Sequence, residues 1–446
     1  MTDTGATPPE AAPVSRQWAR EQRSGGKSRH PTPAPTPETS PGSAPEQPAA
    51  PGRGGRRPLG RGAVVAYSVA TLIFVAGLVA LAWDGYRTSL DIKGGTALES
   101  ERNPLKPGYE AQVKPIPTHL LLLTDPKGAV TDGLLMAEGN AGKGGSIVLI
   151  PGSTIVQGPT GNINFDKLIA TAGVPAGVTA MEKVLTFAVT DTATIGDKQW
   201  ADLLTPLGSL AIENPDALVS VTGPNQKQIV YPAGTITLDP GKLGDYLTFV
   251  SDGEAAINRL PRVQLVLEAW LKALAANPAG APTLAPLTPV IGEQPVDISA
   301  LISGLSKGQV SYQILPTQAV SLPDANGAKI YLPDPVGIAA MVPKVVPFPT
   351  SAFPGQRART RILNGTTDAA AATRAAAPVV GAGGEVTVLG NAAKFGRTRT
   401  VVEYHDPTMK DAAGKIAAAL AVTATPSTSL TEAYDVTVTL GSDFTG

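Results

Sequence analysis

The sequence predicts an α/β protein: a three-layered α/β ectodomain and a small C-terminal α/β unit of βαβ-βαβ order, preceded by one transmembrane helix. Three observations predict this class. Residues 62–83, GAVVAYSVATLIFVAGLVALAW, carry no charge. From residue 118 onward, short apolar runs bounded by turn residues alternate with stretches whose apolar residues recur three or four apart. After a proline-rich interruption at 345–356, the rest of the chain runs through a strand–helix–strand order twice.

The uncharged run comes first. At about 1.5 Å rise per residue it spans the roughly 30 Å hydrocarbon core of a bilayer. Arg53, Arg56, Arg57 and Arg61 precede it, whereas Asp84 and Arg87 open a sparse, mixed set of charges after it. The basic flank belongs on the cytoplasmic side, which places the C-terminal bulk outside the plasma membrane. Tyr67, Trp83 and Tyr86 suit the interfacial belts. The run lacks the polar stripe of a buried amphipathic helix. It is also too long, and starts too far from Met1, for a cleaved signal peptide. Residues 1–61 are rich in Pro, Ala, Ser and Gly and nearly devoid of large apolar side chains. They cannot bury enough surface to offset ordering entropy, so they read as a disordered cytoplasmic tail. Residues 84–116 read as a polar connector.

The ectodomain, residues 117–346, opens with three buried strands at 119–124, 133–138 and 146–151. Helices follow at 164–172, 179–187 and 200–207, then strands at 217–221 and 228–231. Helices at 243–250 and 254–275 lead to a Pro/Ala-rich loop at 277–293. A helix at 298–305, strands at 310–315 and 329–332, and a helix at 336–342 complete it. Residues 347–357 form a linker. In the C-terminal unit, residues 358–446, the expected order is strand 360–363, helix 368–377, strands 385–389 and 399–404, helix 410–420 and strand 434–440.

Composition narrows the function. The formal net charge of -1 gives no electrostatic case for nucleic acid, and no basic DNA-reading helix is visible. With no cysteine there are neither disulfides nor thiolate sites. His30, His119 and His405 are too scattered for a histidine-based metal site.

Two stretches go further. RILNGT (361–366), VLGNA (388–392), VVEYHDP (401–407), AGKIAAAL (413–420) and DVTVTLGSDF (435–444) resemble the domain that closes many LytR-type cell-envelope proteins of actinobacteria. Asn364-Gly365 and Gly441-Ser442-Asp443 read as tight turns at strand ends. The resemblance implies binding of cell-wall material or of an envelope partner.

The ectodomain holds LLLLTD (120–125), VTDGLLM (130–136), VLIPGSTIV (148–156), NINFDKL (162–168), PAGTITLDPGKLGDYLT (232–248) and RLPRVQLVLEA (259–269) in order. Together these resemble the landmarks of the LytR–CpsA–Psr (LCP) family. That resemblance implies a single N-terminal membrane anchor and transfer of glycopolymer from a polyprenyl-pyrophosphate carrier to peptidoglycan or a similar acceptor. It carries phosphate binding to Arg259, Arg262 and Gln264, and Mg²⁺ to Asp125 and Asp132; read from the residues alone, the two aspartates serve equally as caps of strand ends and turns, and the two arginines as a solvated helix face with packed stems. Three family arginines are replaced, by Val130, Gly152 and Thr248, and the aspartate after the second is Ser153.

A guanidinium fork matches phosphate oxygens bidentately and never loses its charge. Losing one transition-state donor costs on the order of 10²–10³ in rate, so losing three favours binding over catalysis. Three readings stand: a non-catalytic envelope protein that binds lipid-linked glycan, peptidoglycan or a partner; a divergent transferase using Asp125, Asp132, Arg259 and Arg262 with Mg²⁺; and a scaffold for cell-wall assembly.

Overall fold

The computed structural model describes residues 101–139, 142–223, 226–252, 254–278, 297–321, 329–429 and 433–446. The expected tail 1–61 and membrane helix 62–83 lie outside the described residues, as does most of the loop 277–293. Among the described residues, no helix is long and apolar enough to cross a membrane.

The chain begins with β1 (Glu110–Gln112), β2 (Thr118–Thr124), β3 (Val130–Glu138), β4 (Gly145–Pro151), β5 (Ile155–Gly158) and β6 (Gly161–Asn164). Next come α1 (Phe165–Ala172), α2 (Val174–Leu185), β7 (Asp191–Ile195), α3 (Asp197–Leu204) and β8 (Leu210–Asn214). β9 (Leu218–Gly223), β10 (Gln226–Tyr231), β11 (Gly234–Leu238), α4 (Pro240–Thr248), α5 (Leu260–Ala276) and α6 (Ile298–Ser306) follow. The larger α/β unit closes with β12 (Val310–Ile314), β13 (Thr317–Ser321), β14 (Lys329–Pro333) and α7 (Pro335–Val345). The C-terminal unit contains β15 (Ala358–Asn364), α8 (Ala371–Gly381), β16 (Gly384–Asn391), β17 (Val401–Tyr404), α9 (Lys410–Ala419), β18 (Ala424–Pro426) and β19 (Val436–Leu440).

The central sheet has the order β12-β4-β3-β2-β7. β3 runs antiparallel to both β2 and β4, whereas β12 and β7 lie parallel to their neighbours β4 and β2. Its inner strands read as continuous apolar runs because both faces are covered. Side chains alternate across a strand, so Leu120, Leu122, Leu135, Val148 and Ile150 pack in one core with residues of α1, α2 and α7. Leu121, Leu123, Leu134, Met136, Ile147 and Leu149 pack in a second core with α3, α4, α5 and α6. That arrangement is helix layer, sheet, helix layer. The second core is filled by Trp200, Trp270 and Tyr246, the two indoles meeting edge to face at 6.1 Å.

The C-terminal sheet has the order β1-β16-β15-β19-β17-β18. β15, α8 and β16 form a parallel crossover as expected. The second crossover closes differently. α9 leads to the short β18, parallel to β17, and β19 instead lies between β15 and β17, antiparallel to the latter. β1 adds a strand to the far edge by pairing with β16, so part of the stretch read as a connector belongs to this sheet. The first core runs on without a break from the larger α/β unit into Ile362, Val379, Ile416 and Val438.

The linker 347–357 is also pinned. Ser351 donates from its backbone N–H to Glu385 at 3.0 Å, and Gln356 Nε2 donates to the Glu182 carbonyl at 2.9 Å. A turn at 353–356 closes the linker, with Ser351 fastening it to β16 and Gln356 to the end of α2.

Candidate functional site: two buried arginines at the end of α4

Asp132 enters the protein near the start of β3, opposite Leu123 of β2 and Pro151 of β4. Its position is therefore fixed by the best-paired strands of the sheet. One carboxylate oxygen accepts the Gly152 backbone N–H at 3.1 Å. The other accepts Nε of Arg259 at 3.0 Å, and Nη2 of the same guanidinium. Arg259 is the last residue of a 3-10 turn, Ala256–Arg259, that leads into α5. Its Nη1 donates to the Thr248 carbonyl at 3.4 Å. Asp132 is 1% exposed and Arg259 3%. Burial pushes the Asp132 carboxyl above its ordinary range, against the opposing pull of Arg259. Asp166 of α1 lies close by, and burial raises its carboxyl too.

Arg262, in the first turn of α5, has a different partner. Nη2 donates to Glu254 at 2.9 and 3.0 Å and to the Phe249 carbonyl at 2.9 Å. The guanidinium carbon sits 5.8 Å from the centre of the Tyr246 ring, whose hydroxyl donates to Asn214 at 2.8 Å. Its Nε and Nη1 are buried without a hydrogen-bond partner. Burial lowers the pKa of this guanidinium, and Glu254 works against that shift. A cavity of about 470 Å³ adjoins it, lined also by Glu254, Asn258 and Pro261.

Both arginines thus gather at the carbonyl end of α4, at Thr248 and Phe249, where the helix dipole favours cations. The structure brings them together as their spacing predicts, but each is already held by a carboxylate. Glu254 and Asp166 escaped the sequence reading, since nothing in their spacing ties them to arginines or to a distant strand. Gln264 turns to its own helix, donating to Glu268 at 2.7 Å.

The expected metal pair is not assembled. Asp125 closes the β2–β3 turn, its Oδ1 accepting the backbone N–H groups of Lys127 and Ala129, each at 2.9 Å. Both oxygens of Asp132 are engaged by donors. Among the described residues, no group of three or more His, Cys, Asp or Glu stands ready to hold a metal ion. These residues do not fit Mg²⁺ as the resemblance implies.

The replaced arginine positions are structural. Val130 pairs with Thr124 in the sheet, and Thr248 returns its hydroxyl to the Gly244 carbonyl at 3.0 Å. A Cβ at Gly152 would lie 2.1 Å from the Thr131 carbonyl oxygen and 3.1 Å from Asp166 Cβ. No side chain fits there without moving β3.

In the C-terminal unit, Gly365, Gly441 and Asp443 converge on one segment, 397–400, while Asn364 serves the turn beside it. Gly365 donates to the Leu440 carbonyl and accepts from the Arg397 N–H, both at 3.0 Å. Asp443 Oδ1 accepts the Thr400 N–H at 2.8 Å and its hydroxyl at 2.7 Å. The same hydroxyl accepts the Gly441 N–H at 3.0 Å. Asn364 holds the turn beyond β15 through the Thr366 N–H and the Asp368 carbonyl. Both glycines are needed for close approach: a Cβ on Gly441 would fall within 2.3–2.7 Å of the Arg399 backbone, and one on Gly365 within 2.5 Å of the Leu440 oxygen. The two motifs clasp the intervening loop.

Residues 357–444, which contain this clasp, match the family model described as LytR cell envelope-related transcriptional attenuator. The C-terminal unit is a LytR C-terminal domain.

No curated protein matches the chain. Among solved structures, a transcriptional regulator from Enterococcus faecalis is 16% identical, over 52% of this chain and 87% of its own, with a TM-score of 0.39. TagV from B. subtilis is 14% identical over 52% of this chain and 96% of its own, TM-score 0.40. TagT from B. subtilis is 17% identical over 55% and 93%, TM-score 0.39. The LytR C-terminal domain meets the larger α/β unit through α7 and α8 and through Arg357, whose Nη1 donates to Thr186 Oγ1 at 2.9 Å.

Proposed function

We propose that this chain is a membrane-anchored, extracytoplasmic cell-envelope protein whose ectodomain keeps an LCP-like architecture without its phosphate chemistry. In this reading it binds lipid-linked glycan, cell-wall polymer or an envelope partner, and does not transfer the polymer. The observation that carries the reading is the engagement of both remaining arginines by carboxylates, Arg259 by Asp132 and Arg262 by Glu254, each 3% exposed. A guanidinium already paired and buried must give up that partner before it can neutralise a phosphate, which leaves the second buried charge unpaired. The anchoring rests on the uncharged run 62–83 and the arginines before it. The envelope assignment rests on the LytR C-terminal domain and on the order of the ectodomain landmarks.

A divergent transferase is the second reading. It is favoured by Nε and Nη1 of Arg262, two donors with no partner. The two readings are separated by titrating the full chain with a polyprenyl pyrophosphate and then assaying turnover of the lipid-linked glycan. Arg259→Ala with Arg262→Ala is the control. Turnover abolished by the double substitution supports the second reading. Binding without turnover supports the first, and neither leaves a scaffold.

A further inference from the structure

Far from the two arginines, a cavity of about 650 Å³ opens between the ectodomain and the LytR C-terminal domain. The C-terminal ends of α2 and α8, one side of α7, and α9 enclose it. Its volume falls within the range of small-molecule sites. Ile338, Val342 and Val380 give it an apolar wall, and all three are buried. Three of its lining residues are cations, Lys183, Arg357 and Lys415, and none is a carboxylate.

The three cations play different parts. Arg357 is 4% exposed. Its guanidinium is committed to main-chain oxygens: Gly384 at 3.1 Å, Thr186 at 3.3 Å, and Val380. Thr186 and Val380 lie at the carbonyl ends of α2 and α8, which would otherwise repel an anion. Arg357 cancels that partial negative charge while taking no anion itself. Lys183 and Lys415 are exposed. Lys183 rests 5.8 Å from the Phe353 ring centre, and neither lysine is paired with a carboxylate among the described residues. An apolar wall lined also by two exposed lysines that lack a carboxylate partner is complementary to a molecule with an apolar body and an anionic head.

We propose that this interdomain cavity is a binding site for an anionic amphiphile, its apolar part against α7 and α8 and its phosphate or carboxylate head between Lys183 and Lys415. The site is independent of the Asp132–Arg259 and Glu254–Arg262 pairs, so it stands or falls apart from the reading of those residues.

The test uses the full chain in a neutral-lipid nanodisc, titrated by calorimetry with hexyl phosphate, hexanol and inorganic phosphate against empty discs. Hexyl phosphate should saturate at one site per chain and bind at least tenfold more tightly than either other probe. Lys183→Ala with Lys415→Ala should weaken it by about tenfold per lysine, and Ala339→Trp, which fills the cavity from α7, should abolish it. Lys198→Ala, at an exposed lysine that does not line the cavity, should leave it unchanged. Hexanol binding as tightly as hexyl phosphate would show that the head group is not read and overturn the proposal. Inorganic phosphate matching hexyl phosphate would reduce the site to a free-anion site and overturn it equally. Absence of saturable binding, or binding unaffected by both sets of substitutions, would do the same.

Discussion

Replacing Arg259 by Ala should be among the most damaging single changes in the larger α/β unit, and its cost should depend on pH in a defined direction. Asp132 and Arg259 are both almost fully buried, with Nε to Oδ2 at 3.0 Å. Removing one member of such a pair costs about 3–5 kcal/mol, because the other is left as an uncompensated charge. At about 2–4 °C per kcal/mol for a domain of this size, the melting temperature at pH 7 should fall by roughly 10 °C. Burial already raises the Asp132 carboxyl, and without Arg259 it rises further. A carboxyl raised in the folded state adds stability while protonated and loses it as pH climbs through the folded-state pKa. The deficit of Arg259→Ala should therefore be small near pH 4 and grow towards pH 7. Asp132→Asn combined with Arg259→Ala removes both charges and should recover most of the loss, flattening the pH dependence. Thermal unfolding of the full chain, followed by the fluorescence of buried Trp200 and Trp270, gives all three quantities. A loss below about 1 kcal/mol at pH 7, or a double variant no more stable than Arg259→Ala, would refute the idea that this pair is a closed, mutually dependent unit.

Other substitutions test neighbouring parts of the structure. Gly152→Ala should destabilise by about 1–3 kcal/mol by pressing a Cβ onto the Thr131 carbonyl of β3; chemical denaturation midpoints will show it, and an unchanged midpoint would mean the strand end can yield. Gly441→Ala should lower the stability of the LytR C-terminal domain by a similar amount through overlap with the Arg399 backbone. Faster hydrogen exchange confined to 397–400 and β19 would be its signature. Trp270→Ala should cost about 3–5 kcal/mol, since the indole is buried against Trp200 in the second core, and calorimetry of the full chain would register it.

Much of the fold is legible in the chain because its central strands are unusually explicit. His119-Leu-Leu-Leu-Leu-Thr and Ser146-Ile-Val-Leu-Ile-Pro read as buried strands because helices cover both faces of the sheet they form. β7 is not legible in the same way. Its sequence, Asp-Thr-Ala-Thr-Ile, is short and half polar, and it becomes a strand only by pairing along β2. β8 and β11 are likewise separated by the β9–β10 hairpin, so neither shows its partner locally. At the site, one-turn spacing correctly placed Arg259 and Arg262 near each other. It did not reveal that Arg259 belongs to a 3-10 turn ahead of Pro261, nor that Asp132, 127 residues away, occupies its fork. Asp125 caps its own turn through the local Lys127 and Ala129 N–H groups, as a turn-capping reading expects, whereas Asp132 balances a buried cation that only the fold brings beside it. The LNGT and GSDF glycines sit in turns just past strand ends, as read, but nothing in the sequence shows that they also permit close backbone approach around 397–400.

The most direct test is a single-turnover reaction with the full chain in excess over a polyprenyl-pyrophosphate-linked glycan, with a peptidoglycan acceptor and with Mg²⁺ supplied. If the arginines are held closed by Asp132 and Glu254, no glycan moves to the acceptor and no polyprenyl phosphate is released, and Arg259→Ala with Arg262→Ala behaves as the unchanged chain does. Transfer that disappears in that double variant would contradict the reading and make the paired arginines a working phosphate site.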